Sequence, residues 1–126
     1  MTRAPLEKCE QAHIVQLLKS IGAAVYVLGT RRPKGDYQGT RQTPGIADLE
    51  VWLPQRGAMA PRLLKVEVKR AGGRLRPEQV TYQQQCRAAG IAHVVGTLDD
   101  VIAWLVTEHY LTAGQVPHYR QPQKST

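Results

Sequence analysis

The sequence predicts an α/β fold in which a mixed central β-sheet is flanked by helices. Two neighbouring segments, residues 47 to 53 and 62 to 69, alternate strictly between apolar and polar residues, which is typical of strands. Segments with three- and four-residue apolar spacing precede and follow them, so the predicted order is αβββαβα. At 126 residues, we expect a single domain over residues 1 to 112 and an irregular tail over residues 113 to 126.

The N-terminal half contains one helix and three strands. Apolar residues recur on one helical face over residues 6 to 21, and Gly22 follows as a stop signal. Residues 23 to 29 are short and β-prone, and we interpret them as a buried strand. The two alternating strands come next, joined by a Pro- and Gly-containing turn over residues 54 to 61 that predicts a hairpin.

The C-terminal half contains two helices separated by a strand. Pro77 suits a first helical position, and the second helix is predicted over residues 77 to 89. Residues 91 to 95 form the fourth strand. Thr97 and Asp100 resemble a capping pair for a third helix. Its apolar stripe consists of Leu98, Val101, Ile102, Leu105 and Val106.

The polar face of the hairpin brings two acids and a lysine together. Alternate residues of a strand point to opposite sides, so Asp48, Glu67 and Lys69 share the face opposite the apolar residues. Neighbouring strands are about 4.8 Å apart, which lets Asp48 and Glu67 share one hard cation such as Mg²⁺. An ammonium beside that ion can hold or deprotonate a water, or neutralise charge on a phosphate. The alternative is an ordinary strand with solvated charges.

Two stretches of the chain carry a resemblance to a known family. PGIADLEVW and LLKVEVKRAGGRLRPEQ are similar to the Gly-x-x-Asp, Glu-x-Lys and downstream Gln signature of the virus-type replication-repair nucleases. These nucleases (VRR-NUC domains) belong to the PD-(D/E)XK superfamily. The resemblance extends from the first helix to about Leu105 and implies a restriction-endonuclease-like core.

The resemblance also implies site residues. Asp48 and Glu67 correspond to the metal-binding acids, Lys69 to the catalytic lysine and Gln79 to the helix glutamine, and Val68 would add its backbone carbonyl to the metal. The implied cofactor is Mg²⁺, for which Mn²⁺ would substitute; one metal and two metals both stay open. An exposed helix amide is the alternative for Gln79.

A further carboxylate is expected from the first helix. Glu10 lies on its inward stripe, four residues before Ile14, and the family often places a metal-associated Glu on this helix. The alternative is a buried or rim salt bridge, and Glu7 is a rival on the same helix. Gln83, one turn after Gln79, extends the expected polar edge, and Trp52 shares the face of Asp48.

The chain is basic, with 17 Lys and Arg against ten Asp and Glu and a formal charge of +7. Such an excess favours nucleic acid as a partner. A long basic loop over residues 30 to 46 lacks the ending of a P-loop, so we expect it to touch DNA phosphates rather than a nucleotide. A solvated loop is the alternative. The predicted DNA-binding residues are Arg31, Arg32, Lys34, Tyr37, Arg41, Arg74 and Arg76.

The histidines and cysteines are not expected to bind metal. The two cysteines, Cys9 and Cys86, lie far apart, and neither they nor the four histidines have metal-ligand spacing. No apolar run approaches the length of a membrane span and no signal-peptide core precedes the first helix. We therefore expect a cytoplasmic protein without membrane contact, encoded by a bacterium or phage.

Together these features predict a metal-dependent DNA endonuclease. Branched DNA, with four-way junctions first, is the expected substrate, because a two-fold homodimer supplies two sites at a fixed spacing. The third helix or residues 110 to 119 would provide the shared surface, although the helix stripe has packing on the sheet as its alternative. Other hypotheses are a flap or duplex nuclease, a non-catalytic DNA-binding module, and a regulatory interaction protein.

Overall fold

The fold is taken from a computed structural model, which describes residues 3–28 and 45–116, with side chains from Glu7 onward. The elements are α1 (Arg3–Ser20), β1 (Ala24–Val27), β2 (Leu49–Leu53), β3 (Arg62–Val68), α2 (Pro77–Ala88), β4 (Ala92–Gly96), α3 (Leu98–Thr107) and a 3-10 helix (Ala113–Gln115). The predicted order αβββαβα is confirmed. The 3-10 helix lies at the start of the segment that was predicted to be irregular.

The four strands form one mixed sheet in the order β1-β2-β3-β4. β1 pairs with β2 and β2 with β3 in antiparallel fashion, whereas β4 runs parallel to β3 because α2 makes the crossover between them. The hairpin turn closes with an isolated bridge between Arg56 and Met59. In its ladder, Leu49 lies opposite Val66 and Val51 lies opposite Leu64, so the apolar residues of both strands share one face, as predicted.

That apolar face is covered by α1 and α3. The hairpin residues on it are fully buried and pack with Ile14 and Leu18 of α1 and with Val101 and Leu105 of α3. Leu98 and Val106 are partly buried against the same core, so the whole α3 stripe packs on the chain's own sheet. Tyr110 and Leu111 are also buried there. Neither the stripe nor this start of the 110 to 119 segment is available as a surface between subunits.

The prediction that the first strand is buried was wrong. Tyr26 is 54% exposed and Val27 is 44% exposed, and only Val25 packs partly against the core. The prediction relied on the apolar composition of residues 23 to 29, but composition cannot tell a central strand from an edge strand. Among the strands of residues 3–28 and 45–116, β1 lies at the edge of the sheet and pairs with β2 alone.

The opposite face of the sheet carries α2, which lies over β3 and β4. The ring of Tyr82 meets that of His93 of β4 with centroids 5.8 Å apart, and Gln83 Nε2 lies 3.4 Å from His93 Nδ1. The predicted capping pair of α3 is confirmed, since Asp100 Oδ2 accepts the Thr97 backbone N–H at 2.9 Å. In residues 3–28 and 45–116, no helix combines the length and apolarity that crossing a bilayer requires.

Candidate active site

The predicted site residues converge where β3 and β4 end and β2 begins. Asp48 immediately precedes β2, and its carboxylate Oδ2 accepts the Val68 backbone N–H at 2.8 Å. Its own carbonyl accepts the Leu28 N–H at 2.7 Å. The Lys69 N–H donates to the Gly96 carbonyl at 2.9 Å and continues the pairing with β4. Asp48 is therefore anchored to both neighbouring strands, and its side chain is aimed at the end of β3.

The Asp48 and Glu67 carboxyl groups form a directly interacting pair. Glu67 is only 4% exposed, and its burial together with the charge of Asp48 raises its pKa to about 8. The positive charges of Lys69 and Arg76 oppose that shift in the pKa. Lys69 Nζ lies 3.7 Å from Glu67 Oε2. Burial and the neighbouring charge of Asp48 therefore both favour the protonated form of Glu67, and a bound cation would oppose that preference.

Gln79 is the second buried polar residue of the site. It is 5% exposed, and its Nε2 donates to Glu67 Oε2 at 2.9 Å. Its Oε1 accepts the backbone N–H of Arg76 at 2.8 Å, which closes the first turn of α2. Both ends of one amide are thus used, and the start of α2 is held against the end of β3. The predicted site-facing orientation agrees with this position.

Gly45 lets the chain before Asp48 lie directly on α2. Its φ of +93° is in the left-handed region, and a Cβ at this position would be 2.7 Å from the Glu78 carbonyl oxygen. Any side chain would be both strained and in collision with backbone. The glycine of the Gly-x-x-Asp motif therefore allows the close approach that positions Asp48.

Gly73 supports Lys69, a role that the sequence reasoning missed. The Gly73 N–H donates to the Arg70 carbonyl at 2.8 Å, and a Cβ on Gly73 would be 3.2 Å from Lys69 Cβ. The turn thus packs on the lysine stem beside the site. The signal was present in the double glycine of AGGRL, which reads simply as a turn.

Glu10 does not join the acid pair. Its Oε1 accepts the Leu98 backbone N–H at 2.8 Å, so it binds the first turn of α3, where partial positive charge favours a carboxylate. Among the described residues, no three His, Cys, Asp or Glu side chains are close enough to hold one ion. Glu10 therefore contacts α3 rather than Asp48 and Glu67, and its expected role as a metal ligand stays a prediction. Its rival Glu7 is partly buried on the same helix.

The predicted DNA-binding residues fall into two groups. Arg74 and Arg76 are exposed in the connection between β3 and α2, next to the site, and Arg76 Nε contacts Glu78 Oε2 at 3.1 Å. The others lie outside the described residues, namely Arg31, Arg32, Lys34, Tyr37 and Arg41. Gln83 is turned to His93 and does not extend the polar edge beyond Gln79.

Comparison with known proteins gives one consistent result. The sequence profile of the VRR-NUC domain matches residues 3–97, a range that contains Asp48, Glu67, Lys69 and Gln79. A solved structure described as a VRR-NUC domain superposes with a TM-score of 0.56 and 27% sequence identity. The match covers 83% of this chain and 97% of that one. No curated protein matches the chain.

Proposed function

The chain belongs to the VRR-NUC family of nuclease domains, and we propose that it is a Mg²⁺-dependent endonuclease that hydrolyses phosphodiester bonds of DNA. The observation that carries this proposal is the buried Glu67 carboxyl group beside the half-buried Asp48, with the Lys69 ammonium 3.7 Å from Glu67. Such a pair is electrostatically unfavourable by itself, since burial and mutual repulsion both disfavour the two charges. A cation removes that cost.

The donor set fits a hard divalent ion. Mg²⁺ takes oxygen ligands, is often held by one or two carboxylates, and keeps waters for the remaining positions. Asp48, Glu67 and the backbone carbonyl of Val68 would hold it, and Mn²⁺ would substitute. When bound, the ion supplies Lewis acidity at the phosphate and a water of lowered pKa.

Lys69 and Gln79 have distinct roles in this proposal. The Lys69 ammonium orients the attacking water, or neutralises the charge that grows on the phosphate oxygens. Gln79 donates to Glu67 Oε2 and thereby orients the Glu67 carboxyl group beside Asp48. Glu10 acts through α3, because its contact with Leu98 ties α1 to the turn after β4.

Branched DNA is the proposed substrate, with a four-way junction cut by a homodimer as the leading case. One small domain offers one site, and a two-fold dimer would place two sites at a fixed spacing for paired nicks. A monomer that cuts flaps or duplex is the alternative. A non-catalytic DNA-binding module is less favoured, because Asp48 and Glu67 would repel a polyanion unless a cation bridged them.

The test compares matched junction, flap and duplex substrates with Mg²⁺, with Mn²⁺ and with excess chelator. Cleavage should need a divalent ion, and light scattering on the same sample gives the oligomeric state. Glu67→Gln should abolish cleavage, whereas Glu108→Gln, an acid bound to Arg62 and away from the site, serves as the matched control. Robust cleavage in chelator would contradict the metal-dependent mechanism, and preference for plain duplex would contradict the branched substrate.

A further inference from the structure

Two aromatic rings are exposed on the same face of the sheet as the acid pair. Tyr26 is 54% exposed and Trp52 is 47% exposed. Trp52 follows Asp48 by four residues, so their side chains point to the same side of β2. Tyr26 lies opposite Glu50 in the ladder and points to that side as well. Exposed apolar groups that adjoin a site mark binding surfaces more often than isolated ones do.

The rings extend the site along β1 and β2. Alternate residues of a strand are about 6 to 7 Å apart. Tyr26 pairs with Glu50, one such step from Asp48, and Trp52 lies two such steps from Asp48. Tyr26 and Trp52 are diagonal neighbours on paired antiparallel strands, and the Cα atoms of such neighbours are roughly 7 to 8 Å apart. The two rings therefore follow one another along the face. Exposed Ala24 is the partner of Trp52 and leaves room beside the indole. Among the described residues, α2 lies over β3 and β4 and does not cover the strip formed by Tyr26, Trp52 and Ala24.

The indole is held in place by a neutralised carboxylate. Trp52 Nε1 donates to Glu50 Oε2 at 3.1 Å, while Lys65 Nζ donates to Glu50 Oε1 at 2.9 Å. The charges of Lys65 and Glu50 offset each other, so this part of the face has little net charge. A ligand can therefore contact the flat faces of the Tyr26 and Trp52 rings. The hydrogen bond to Glu50 fixes the orientation of the Trp52 ring.

We propose that Tyr26 and Trp52 form a stacking platform for unpaired bases next to the scissile phosphate. This inference rests on the proposed nuclease function and, among the branched substrates, favours those with unpaired bases beside the cut, such as flaps, over a fully paired four-way junction. Aromatic side chains stack on any base, whereas bases inside a duplex already stack on each other and present no free face. The phosphates of the same stretch would be held by the cations at the other end of the face, Lys69, Arg74 and Arg76.

The test measures binding of the whole protein to labelled oligothymidine and to a duplex of equal length, both in chelator so that nothing is cut. Tyr26→Thr and Trp52→Thr each introduce a β-branched residue, which is well suited to a strand. Each should weaken oligothymidine binding roughly 5- to 100-fold and leave the salt dependence of the affinity unchanged, because stacking releases no counterions. Val27→Thr, on the same strand but the opposite face, is the matched control and should bind as the native protein does.

Tryptophan fluorescence provides a second readout. Oligothymidine should quench Trp52 and leave Trp104, which stacks on Tyr110 and lies under Arg62, unchanged. Trp52→Thr should therefore lose the quenching entirely. Native affinity in both ring variants, or equal binding of duplex and single strand, would overturn the proposal. So would a native dimer that the ring variants dissociate, because the strip would then be an interface between copies.

The outcomes separate this inference from the proposed function. If the native protein cuts DNA with Mg²⁺ and the ring variants bind and cut equally well, the platform is wrong and the nuclease stands. If oligothymidine binding depends on the rings but no DNA is cut under any metal condition, the platform stands and the nuclease proposal fails.

Discussion

Both faces of the β2–β3 hairpin contain buried side chains, but burial has opposite energetic effects on them. It stabilises the fold on the apolar face and is unfavourable for the acid on the polar face. On the core face, Leu49, Val51 and Leu64 are fully buried among apolar side chains, which stabilises the fold by roughly 25 cal/mol per Å². On the other face, Glu67 is 4% exposed and contacts Gln79 of α2, which is 5% exposed, and burial of the acid is unfavourable. One face therefore provides stability, and the other keeps buried polar groups at a cost to stability.

The largest effect should come from the polar face and should be confined to activity. Glu67→Gln and Lys69→Ala are each expected to lower the cleavage rate by more than about 100-fold, because preorganised charge at the phosphate is lost. The melting temperature should not fall, since neither side chain is part of the apolar core. Cleavage assays and thermal melts on the same preparations check both statements. Near-native turnover in either variant would remove that residue from the proposed mechanism.

The next largest effect should come from the core face, where a substitution should lower stability and leave activity unchanged. Leu64→Ala leaves a cavity against α1 and α3 and is expected to lower the free energy of unfolding by about 2 to 5 kcal/mol. Denaturant unfolding measures the loss. Activity per folded molecule should stay near native, because Leu64 points away from Asp48 and Glu67. A collapse of activity in fully folded Leu64→Ala would show that the two faces are not independent.

Gly45→Ala should lower stability and activity together, because Gly45 lets the chain before Asp48 pack directly on α2. The added methyl group would lie 2.7 Å from the Glu78 carbonyl oxygen, so backbone must move and Asp48 with it. We expect a loss of about 1 to 3 kcal/mol in stability together with a fall in activity. Gly57→Ala is the matched control, since it has φ +57° and nothing within 4 Å of its Cβ. Equal effects of the two substitutions on activity would argue against the positioning role.

A separate effect should appear in the pH dependence of stability. In the native protein the pKa of Glu67 is raised from 4.5 to about 8, so between these values the folded state binds more protons than the unfolded state. Stability should therefore fall as pH rises through this window, in the absence of divalent ions. Glu67→Gln removes the titrating group and should flatten that slope, with melting temperatures measured from pH 4 to 9 in chelator. A slope that is the same in both proteins would mean that Glu67 is ionised throughout.

Much of the site could be predicted because strand alternation is a local property. A period of two residues assigns Asp48, Glu67 and Lys69 to one side whatever the rest of the chain does, and the ladder pairing of Leu49 with Val66 agrees with it. Helix signals are local too, and Pro77 and the Thr97 cap lie where they were predicted. Gln79 was placed by family resemblance rather than by pattern, since an isolated helix amide has no preferred direction.

Packing decided the features that no local pattern contains. Strand order placed β1 at the edge, so that apolar Tyr26 is exposed beside the site. The contact between α1 and α3 turned Glu10 to Leu98, and the fit of α2 against the sheet explains Gly45. Sequence alone determined which residues share a face, because that follows from backbone geometry. Tertiary structure decided which helices and strands pack on each face, because those elements are distant from one another in the chain.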